Sequence, residues 1–559
     1  MIPILATLGC FVLYLVGYRL YATHLACRVF QLNPKTVTPA HQLQDGVDYV
    51  PTNKYVLFGH HYASIAGLSP MLGPSIAVIW GWLPAMLWVV LGTLFIGAVH
   101  DFGALVISLR ARGMSVGKVA ESIIGRRAKT LFHIIIFFLI ALAMGVFVNV
   151  CATLLSTAYN PEAIYPSATL MFLAVGVGWL VYKKSVSIWW VTSIAFVITL
   201  ASVWIGINLP AIDLSLERWS LFLLVYSFIA SVLPVWLLLQ PRDYINSLLL
   251  YLGLGSIFLG FFFLQPEFAA PAIRIHPEGA PPLFPFVFIV IACGSISGFH
   301  GLVSSGTTAK QINRETDAPF IGYGGMIGES MLGLASVLAC TAGFLTRDLW
   351  MAHYSSWETA DGLGPNIGAF INGSALFLNQ LGLPLEIGQA FIALISISFA
   401  LTTLDSATRL LRFNISEMGD TLQLPALSNR YLASFLAVSV IGFFAFYKVN
   451  GQATGLALWQ LFGTTNQVLG GLTLLTITLY LLQRKRPCWY TAIPMIFMLI
   501  TTLTAMLIKI RDFWNTNSYL LLVLGGMILV LSVWLAIEAG MRISKRKVFV
   551  SSNEVSSDY

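Results

Sequence analysis

The chain has 559 residues, of which 57% are hydrophobic and only 10% are charged. Ordinary globular domains carry about 25% charged residues because a folded surface needs polar cover, so a soluble enzyme, a disordered scaffold and a disulfide-rich secreted domain are excluded. The net charge of +7 is spread over short clusters between apolar runs, so we expect no nucleic-acid partner. The composition predicts an all-α, polytopic integral membrane protein that contacts a lipid bilayer.

Apolar runs near the ~20 residues that a bilayer core requires predict about fifteen membrane-spanning helices. In chain order they cover 2–25, 54–80, 84–109, 130–157, 165–182, 188–208, 219–239, 243–264, 284–309, 321–344, 386–410, 431–448, 457–482, 488–508 and 518–540. Glycines interrupt the second and the ninth of these helices. With the N-terminus outside and the C-terminus in the cytoplasm, most Lys and Arg residues fall in inside loops, as the positive-inside rule requires.

The second and ninth predicted helices share the pattern G-x-H-x5-G, at 59–67 and at 298–306. An odd number of crossings separates them, so they run in opposite directions through the bilayer, which is typical of an inverted repeat. Glycine lets the backbone leave helical geometry, and the freed polar groups are tolerated only around a ligand or a water-filled cavity. The pattern indicates a transporter core, with a chance match between glycine-containing helices as the alternative.

The residues of these two segments are the candidates for binding substrate. His61 and its counterpart His300 are favoured to contact substrate or relay a proton, because imidazole titrates near pH 6.5. A histidine that is simply bonded to a neighbouring carbonyl is the alternative interpretation. The predicted substrate-binding set is Gly59, His60, His61, Ser64, Gly298, His300, Ser304 and Ser305.

Ionisable residues within apolar runs are candidates for ion coupling, since charge inside a membrane is costly. Asp405 stands among hydroxyl-bearing residues whose oxygens suit Na⁺ or a proton, while an (i, i+4) ion pair with Arg409 is the alternative. Asp101 and Glu329 lie in corresponding helices of the two halves, where they either carry a proton or serve as structural acids. The predicted coupling set is Asp101, Glu329, Thr402, Thr403, Asp405 and Ser406.

Other features favour structural interpretations. Arg242 and Asp243 follow Pro241 at a predicted helix start, where capping explains the carboxylate. The six cysteines are scattered without CxxC or Cys/His ligand spacing, so the sequence predicts neither a metal nor a cofactor. Neither a Walker A motif nor a hydrolase motif is present, so we expect neither direct use of ATP nor an enzyme.

Six segments carry a family resemblance. They are DGVDYVPTNKYVLFGHHYASIAGLSPMLGPSIA (45–77), VHDFGALVIS (99–108), SFIASVLPVWLLLQPRDY (227–244), ACGSISGFHGLVSSGTTAK (292–310), ALTTLDSATRLLRF (400–413) and LWQLFGTTNQVLGGL (458–472). Together they resemble the carbon-starvation protein A family, which belongs to the amino-acid–polyamine–cation superfamily. Position 100 is histidine where the resemblance leads us to expect glutamine, and a glutamate expected before TTLDS is missing, which leaves the coupling ion open between H⁺ and Na⁺.

The resemblance implies a leucine-transporter-type core of two five-helix inverted repeats. Residues 54–208 form the first repeat and 284–482 the second, with an outside lid at 361–383. A pair of helices at 209–283 is inserted between the repeats. Residues 1–53 provide a peripheral helix and an inside loop, and 483–559 provide two peripheral helices and a cytoplasmic tail.

The resemblance also implies the function, an ion-coupled importer of small peptides in the bacterial inner membrane, active during carbon or nutrient starvation. Protons are the first choice of coupling ion. A pyruvate/proton symporter of the same family is the alternative, so the expected partners are a peptide or pyruvate, H⁺ or Na⁺, and lipid. A membrane redox protein or channel that uses the intramembrane histidines is an alternative of another class. The sequence makes no prediction of oligomeric state.

Overall fold

The computed structural model describes residues 1–46, 48–157, 159–360, 363–449, 452–453 and 455–555. Within these ranges the protein has 23 α-helices and one two-stranded antiparallel sheet, in agreement with the predicted all-α fold. The helices are α1 (Ile2–Val16), α2 (Pro39–Gln42), α3 (Lys54–Ile65), α4 (Ser69–Ala77), α5 (Trp82–Leu87), α6 (Ala98–Arg110), α7 (Val116–Ile123), α8 (Arg126–Leu154), α9 (Ile164–Lys184), α10 (Ile188–Asn208), α11 (Leu216–Val232), α12 (Leu239–Leu264), α13 (Leu283–Val290), α14 (Gly298–Gly306), α15 (Gly324–Ala342), α16 (Arg347–His353), α17 (Trp357–Ala360), α18 (Leu363–Asn379), α19 (Leu385–Leu422), α20 (Arg430–Phe446), α21 (Gly455–Gln483), α22 (Trp489–Asn515) and α23 (Tyr519–Val555). The strands are β1 (Lys448–Val449) and β2 (Gln452–Ala453), with Lys448 opposite Ala453 and Val449 opposite Gln452.

Eleven helical segments of the described chain are long and apolar enough to cross a bilayer, and the bent α3–α4 pair makes twelve if it is one span. The eleven are Ile2–Val29, Trp82–Arg110, Arg126–Leu154, Pro161–Lys184, Ile188–Asn208, Leu239–Leu264, Glu315–Ala342, Leu385–Leu422, Leu461–Gln483, Trp489–Asn515 and Tyr519–Met541. Several of them join α-helices through 3₁₀ or π-helical turns, such as the π-helical segment Trp88–Gly97 between α5 and α6.

The remaining predicted spans fall on shorter elements. α11 and α20 have 17 residues each, and the span predicted at 284–309 is divided into α13 and α14, of 8 and 9 residues. A helix of 17 residues is about 25 Å long, which is less than the ~30 Å of a hydrocarbon core. The polytopic helical fold is therefore confirmed, whereas the count of about fifteen spans is not.

Burial separates the central helices from the peripheral ones. In the most apolar 18-residue window of α19, 89% of the residues are buried, whereas in the corresponding window of Ile2–Val29 only 22% are buried. α19 packs against α3, α8, α12 and α18, so it lies at the centre of the bundle. The division of the chain into two repeats, an inserted pair and peripheral helices stays a prediction.

Both glycine-interrupted helices are broken. α3 and α4 meet at a bend of 47°, and α13 and α14 are separated by residues 291–297. A Cβ atom on Gly67, in the first break, would collide with the side chain of Thr403. Gly294, in the second break, has a φ of +89°, in the left-handed region that favours glycine. Gly294 also packs against Pro70, so the two broken helices lie side by side.

The predicted lid is embedded in the bundle. Residues 361–362 lie outside the described residues, and the following segment forms α18, which packs against α4, α12, α15 and α19. Ile367, Phe370 and Phe377 are buried, and the backbone of Gly373 lies directly against Ala339. The segment is therefore more deeply packed than a surface helix, and its role as a lid stays a prediction.

Candidate functional site

Helix α3 presents two successive histidines to opposite sides. The Nδ1 atom of His60 lies 2.8 Å from Asp243 Oδ2 on α12. His61 Nδ1 forms a 2.9 Å hydrogen bond with Thr308 Oγ1, just after α14. Because successive residues of a helix are rotated by about 100°, the two imidazoles point to different neighbours. Both are almost fully buried, and each has its own hydrogen-bond partner.

The first cluster, the Arg242 network, consists of His60, Tyr226, Arg242, Asp243 and Asp405. Arg242 Nη2 donates to Asp243 Oδ1 over 2.8 Å and Nη1 donates to the Tyr226 hydroxyl over 2.8 Å. The guanidinium also pairs with Asp405 Oδ2, and the Tyr226 hydroxyl donates to that same oxygen over 2.6 Å. Arg242 is 1% exposed and both aspartates are 0% exposed, so these charges compensate one another away from water.

Two sequence-based interpretations are wrong at this network. Asp243 does not cap α12, because the N-cap is Leu238 and the carboxylate binds Arg242 and His60 instead. Arg409 does not pair with Asp405 at (i, i+4); its guanidinium lies 3.6 Å from Asp48 and donates to two backbone carbonyls. Asp405 therefore pairs with Arg242, which is distant in the sequence, and not with Arg409 on its own helix.

The predicted hydroxyl set around Asp405 is divided between two sides of α19. Thr402 Oγ1 accepts a 2.8 Å hydrogen bond from Asn246 on α12, on the side where Asp405 meets Arg242. Ser406 Oγ lies 3.4 Å from Ser64 Oγ on α3, and Thr403 adjoins the first break. Within the described part of the chain, Thr403 Oγ1 has no hydrogen-bond partner. The four residues therefore do not form one cation cage.

The second cluster, the His300 cluster, unites His100, Asp101, His300 and Glu329, all of them 0% exposed. His100 Nδ1 lies 2.7 Å from Asp101 Oδ1, and His300 Nδ1 lies 3.4 Å from Asp101 Oδ2. His300 Nε2 lies 3.3 Å from Glu329 Oε1, which also accepts a 3.1 Å hydrogen bond from the Gly294 N–H. The structure thus brings three predicted residues, Asp101, His300 and Glu329, into one buried site.

The π-helical segment before α6 holds the second break in place. Thr93 Oγ1 donates to the Gly294 carbonyl over 3.1 Å, and Ser295 Oγ donates to the Trp88 carbonyl over 2.9 Å. At the start of α14, the Phe299 N–H donates to Asn466 Oδ1 over 2.9 Å. These bonds satisfy backbone groups that a continuous helix would have paired, so the unwound segment has a fixed shape.

The other predicted substrate-binding residues lie at contacts between helices, and their binding of substrate stays a prediction. Gly59 lets α3 approach Ser247 of α12, and Gly298 lets α14 approach α21 at Asn466. Ser305 Oγ accepts a 3.1 Å hydrogen bond from the Val116 N–H at the start of α7. Ser304 is buried, and its hydroxyl has no hydrogen-bond partner among the residues that the structure describes.

The shared pattern does not place the two breaks at equivalent positions. The break between α3 and α4 falls at the end of 59–67, whereas the break between α13 and α14 precedes 298–306. The backbone leaves helical geometry at Gly294 in the second helix, outside the pattern. The two histidine motifs are therefore both buried and both near α15, but they stand on opposite sides of their breaks.

Two adjacent broken helices and ionisable clusters buried within the helix bundle define the class of a polytopic membrane transporter. The chain belongs to the carbon starvation protein CstA family, whose family model matches residues 3–361 and 351–505. This confirms the resemblance of the six sequence segments.

Curated relatives of this chain include transporters with two kinds of name. The peptide transporter CstA of Escherichia coli (strain K12) is 33% identical, over 88% of this chain and 79% of the relative. The peptide transporter CstA of Campylobacter jejuni is 32% identical, over 90% and 80%. The pyruvate/proton symporter BtsT of Escherichia coli is 32% identical, over 90% and 82%.

A solved structure supports the fold. A mutant of the Eremococcus coleocola manganese transporter aligns with a TM-score of 0.52, over 89% of this chain and 99% of that chain. The two sequences are only 14% identical, so the likeness shows a shared fold and nothing about the ligand.

Proposed function

We propose that this protein imports small peptides across the bacterial inner membrane together with protons, by alternating access, and that it is not an enzyme. Relatives named peptide transporters and a relative named a pyruvate/proton symporter support this proposal. Both kinds of substrate carry a carboxylate. The Arg242 network is the observation that carries the proposal, because a guanidinium binds a carboxylate through two parallel hydrogen bonds.

The proposed coupling is an exchange of anions at Arg242. A proton on Asp405 removes the charge that pairs with the guanidinium, and the substrate carboxylate takes its place. At Arg242, ionised Asp405 without substrate and protonated Asp405 with the substrate's carboxylate group provide the same negative charge to the guanidinium. Either step alone changes the buried charge by one unit, which costs about 3–5 kcal/mol when a buried pair loses one partner. Proton and substrate therefore bind and leave together.

The first helix break is the proposed position of the rest of the substrate. Three hydroxyl groups lie beside this break, those of Ser64, Thr403 and Ser406. Thr403 and Ser406 lie on a different side of α19 from Asp405. Hydroxyl groups and freed backbone groups offer hydrogen bonds to peptide amides without selecting a side chain. We propose that the N-terminus lies outside and the C-terminus in the cytoplasm, because this orientation places most basic residues inside.

Uptake into proteoliposomes tests substrate and ion together. Labelled dipeptide and labelled pyruvate are supplied under an imposed proton gradient or an imposed sodium gradient. We expect dipeptide to accumulate under the proton gradient, and a protonophore to abolish this accumulation. Accumulation of pyruvate alone would contradict the proposed substrate, and accumulation driven by sodium alone would contradict the proposed ion.

Replacing Asp405 tests the coupling site. Asp405→Asn imitates the protonated carboxyl group, so Arg242 remains available for substrate at any pH. We expect this variant to exchange labelled for unlabelled dipeptide but to lose accumulation under a proton gradient. Asp420→Asn is the matched control, because Asp420 lies on the same helix and is exposed. Gradient-driven accumulation by Asp405→Asn at the wild-type level would remove Asp405 from the coupling site.

A further inference from the structure

Cys293 adds a third kind of ligand atom to the His300 cluster. It lies in the break between α13 and α14, next to Gly294, and is 5% exposed. One ligand atom each from Cys293, His300 and Glu329 lie within 4.8 Å of one another. Ligands in a tetrahedral site are about 3.3–3.8 Å apart, given bond lengths of about 2.0–2.3 Å. A small closure of the three side chains is enough to hold one ion.

Two of the candidate ligand atoms are buried without a hydrogen bond from any described residue, and Cys293 Sγ accepts only a long, 4.0 Å contact from Asn466 Nδ2. Neither His300 Nε2 nor Glu329 Oε2 has a hydrogen-bond partner in the described ranges, although both are fully buried. On the other side of the ring, His300 Nδ1 lies 3.1 Å from Met326 Sδ and 3.4 Å from Asp101 Oδ2, and Asp101 is fixed by His100. Glu329 Oε1 is fixed by the Gly294 N–H. A carboxylate behind the imidazole is the arrangement that orients a metal-ligating histidine.

The donors also balance the charge of a divalent cation. Cys293 binds a metal as a thiolate, and Glu329 binds as a carboxylate, so together they neutralise a 2+ charge in a buried site. The thiol proton is released to solvent when the metal binds. A sulfur, a nitrogen and an oxygen ligand suit late first-row metals, since Mg²⁺ and Ca²⁺ require oxygen ligands.

We propose that Cys293, His300 and Glu329 bind one late first-row divalent metal ion such as Zn²⁺, with a fourth coordination position open. The sequence predicts no metal because Glu329 lies in a different predicted helix from Cys293 and His300, and the three residues follow no recognised spacing. The site is independent of the Arg242 network, which supplies the proposed proton coupling. Asp101 acts here as a positioning residue for His300.

Metal binding to the purified full-length protein tests this site without transport. The protein is stripped with a chelator and titrated with Zn²⁺ and, separately, with Co²⁺, and bound metal is measured by mass spectrometry. We expect about one equivalent per chain and a thiolate-to-cobalt charge-transfer absorption band. Cys340→Ser is the matched control, because Cys340 is buried on α15 outside the cluster; this variant keeps both signals.

The cluster variants separate ligation from folding. Cys293→Ser and His300→Gln each weaken Zn²⁺ binding at least about tenfold, and Asp101→Asn weakens it about 10- to 100-fold through the lost orientation of His300. Cys293→Asp keeps an anionic ligand, so it still binds stoichiometric Co²⁺, and this binding shows that the site is folded. The same variant loses the charge-transfer band because it has no thiolate. Absence of stoichiometric metal in the wild type, or equal Zn²⁺ affinity in Cys293→Ser, overturns the proposal.

Discussion

Replacing Arg242 with methionine tests whether the guanidinium holds two buried carboxylates in the fold. Arg242→Met leaves Asp405 with the Tyr226 hydroxyl and Asp243 with His60, while both carboxylates remain 0% exposed. Breaking a buried ion pair by removing one partner costs about 3–5 kcal/mol, so we expect the free energy of unfolding to fall by that amount. The measurement is denaturant unfolding in mixed micelles, followed by tryptophan fluorescence.

A double-mutant cycle with Asp405→Asn makes this prediction sharper. Asp405→Asn alone removes a charged acceptor and costs about 1.5–3 kcal/mol, because Arg242 still pairs with Asp243. In Arg242→Met/Asp405→Asn one unpaired carboxylate is gone, so the total loss is smaller than the sum of the single losses by about 1–3 kcal/mol. Lys448→Met is the control, since Lys448 and Glu217 form an exposed pair worth about 0–1 kcal/mol. Additive losses in the cycle would refute the structural role of the Arg242–Asp405 pair.

Two further predictions concern the first break and α16. Gly67→Ala destabilises the protein by about 1–3 kcal/mol because the new Cβ atom collides with the side chain of Thr403. In the same unfolding assay, Gly67→Ala/Thr403→Ala recovers most of this loss. If the double variant recovers none of it, the steric cause is refuted. Burial lowers the pKa of His353, which lies in α16 outside the membrane-spanning segments, below its usual 6.5. The unfolded chain therefore binds this proton more readily, so stability is lost as the pH falls below 6.5. His353→Phe should lose less stability than the wild type between pH 7 and pH 5, and equal losses would contradict the assignment.

The positions of the helices could be predicted because burial in a bilayer acts through length and composition alone. Each apolar run near 20 residues marks a helix, and glycines mark the two broken ones. The break between α13 and α14 is wider than the glycine pattern indicates, because its shape depends on contacts with Trp88 and Thr93 from the π-helical segment. Such contacts join residues far apart in the sequence, and no local pattern encodes them.

Ionisable residues within apolar runs indicate which side chains form buried clusters, but they do not indicate which side chains pair with one another. Asp101, His300 and Glu329 could be singled out because charge inside a membrane is costly, and the structure brings them together. The sequence favours a capping role for Asp243 beside Arg242, whereas in the structure Arg242 pairs with Asp405, which α19 supplies. Cys293 carries no signal in the sequence, since an isolated cysteine in an apolar run is usually a small hydrophobic residue.

The rotation of α3 determines the contacts of both of its histidines. His60 reaches Asp243 on α12, and His61 reaches Thr308 after α14. Since each residue turns a helix by about 100°, both contacts form together only at one rotation of α3 about its axis. A rotation by one residue would direct His61 toward α12 in place of His60 and would remove the hydrogen bond to Thr308. Two histidines that look interchangeable in the sequence therefore have separate functions in the fold, and together they fix α3 between the Arg242 network and the segment that follows α14.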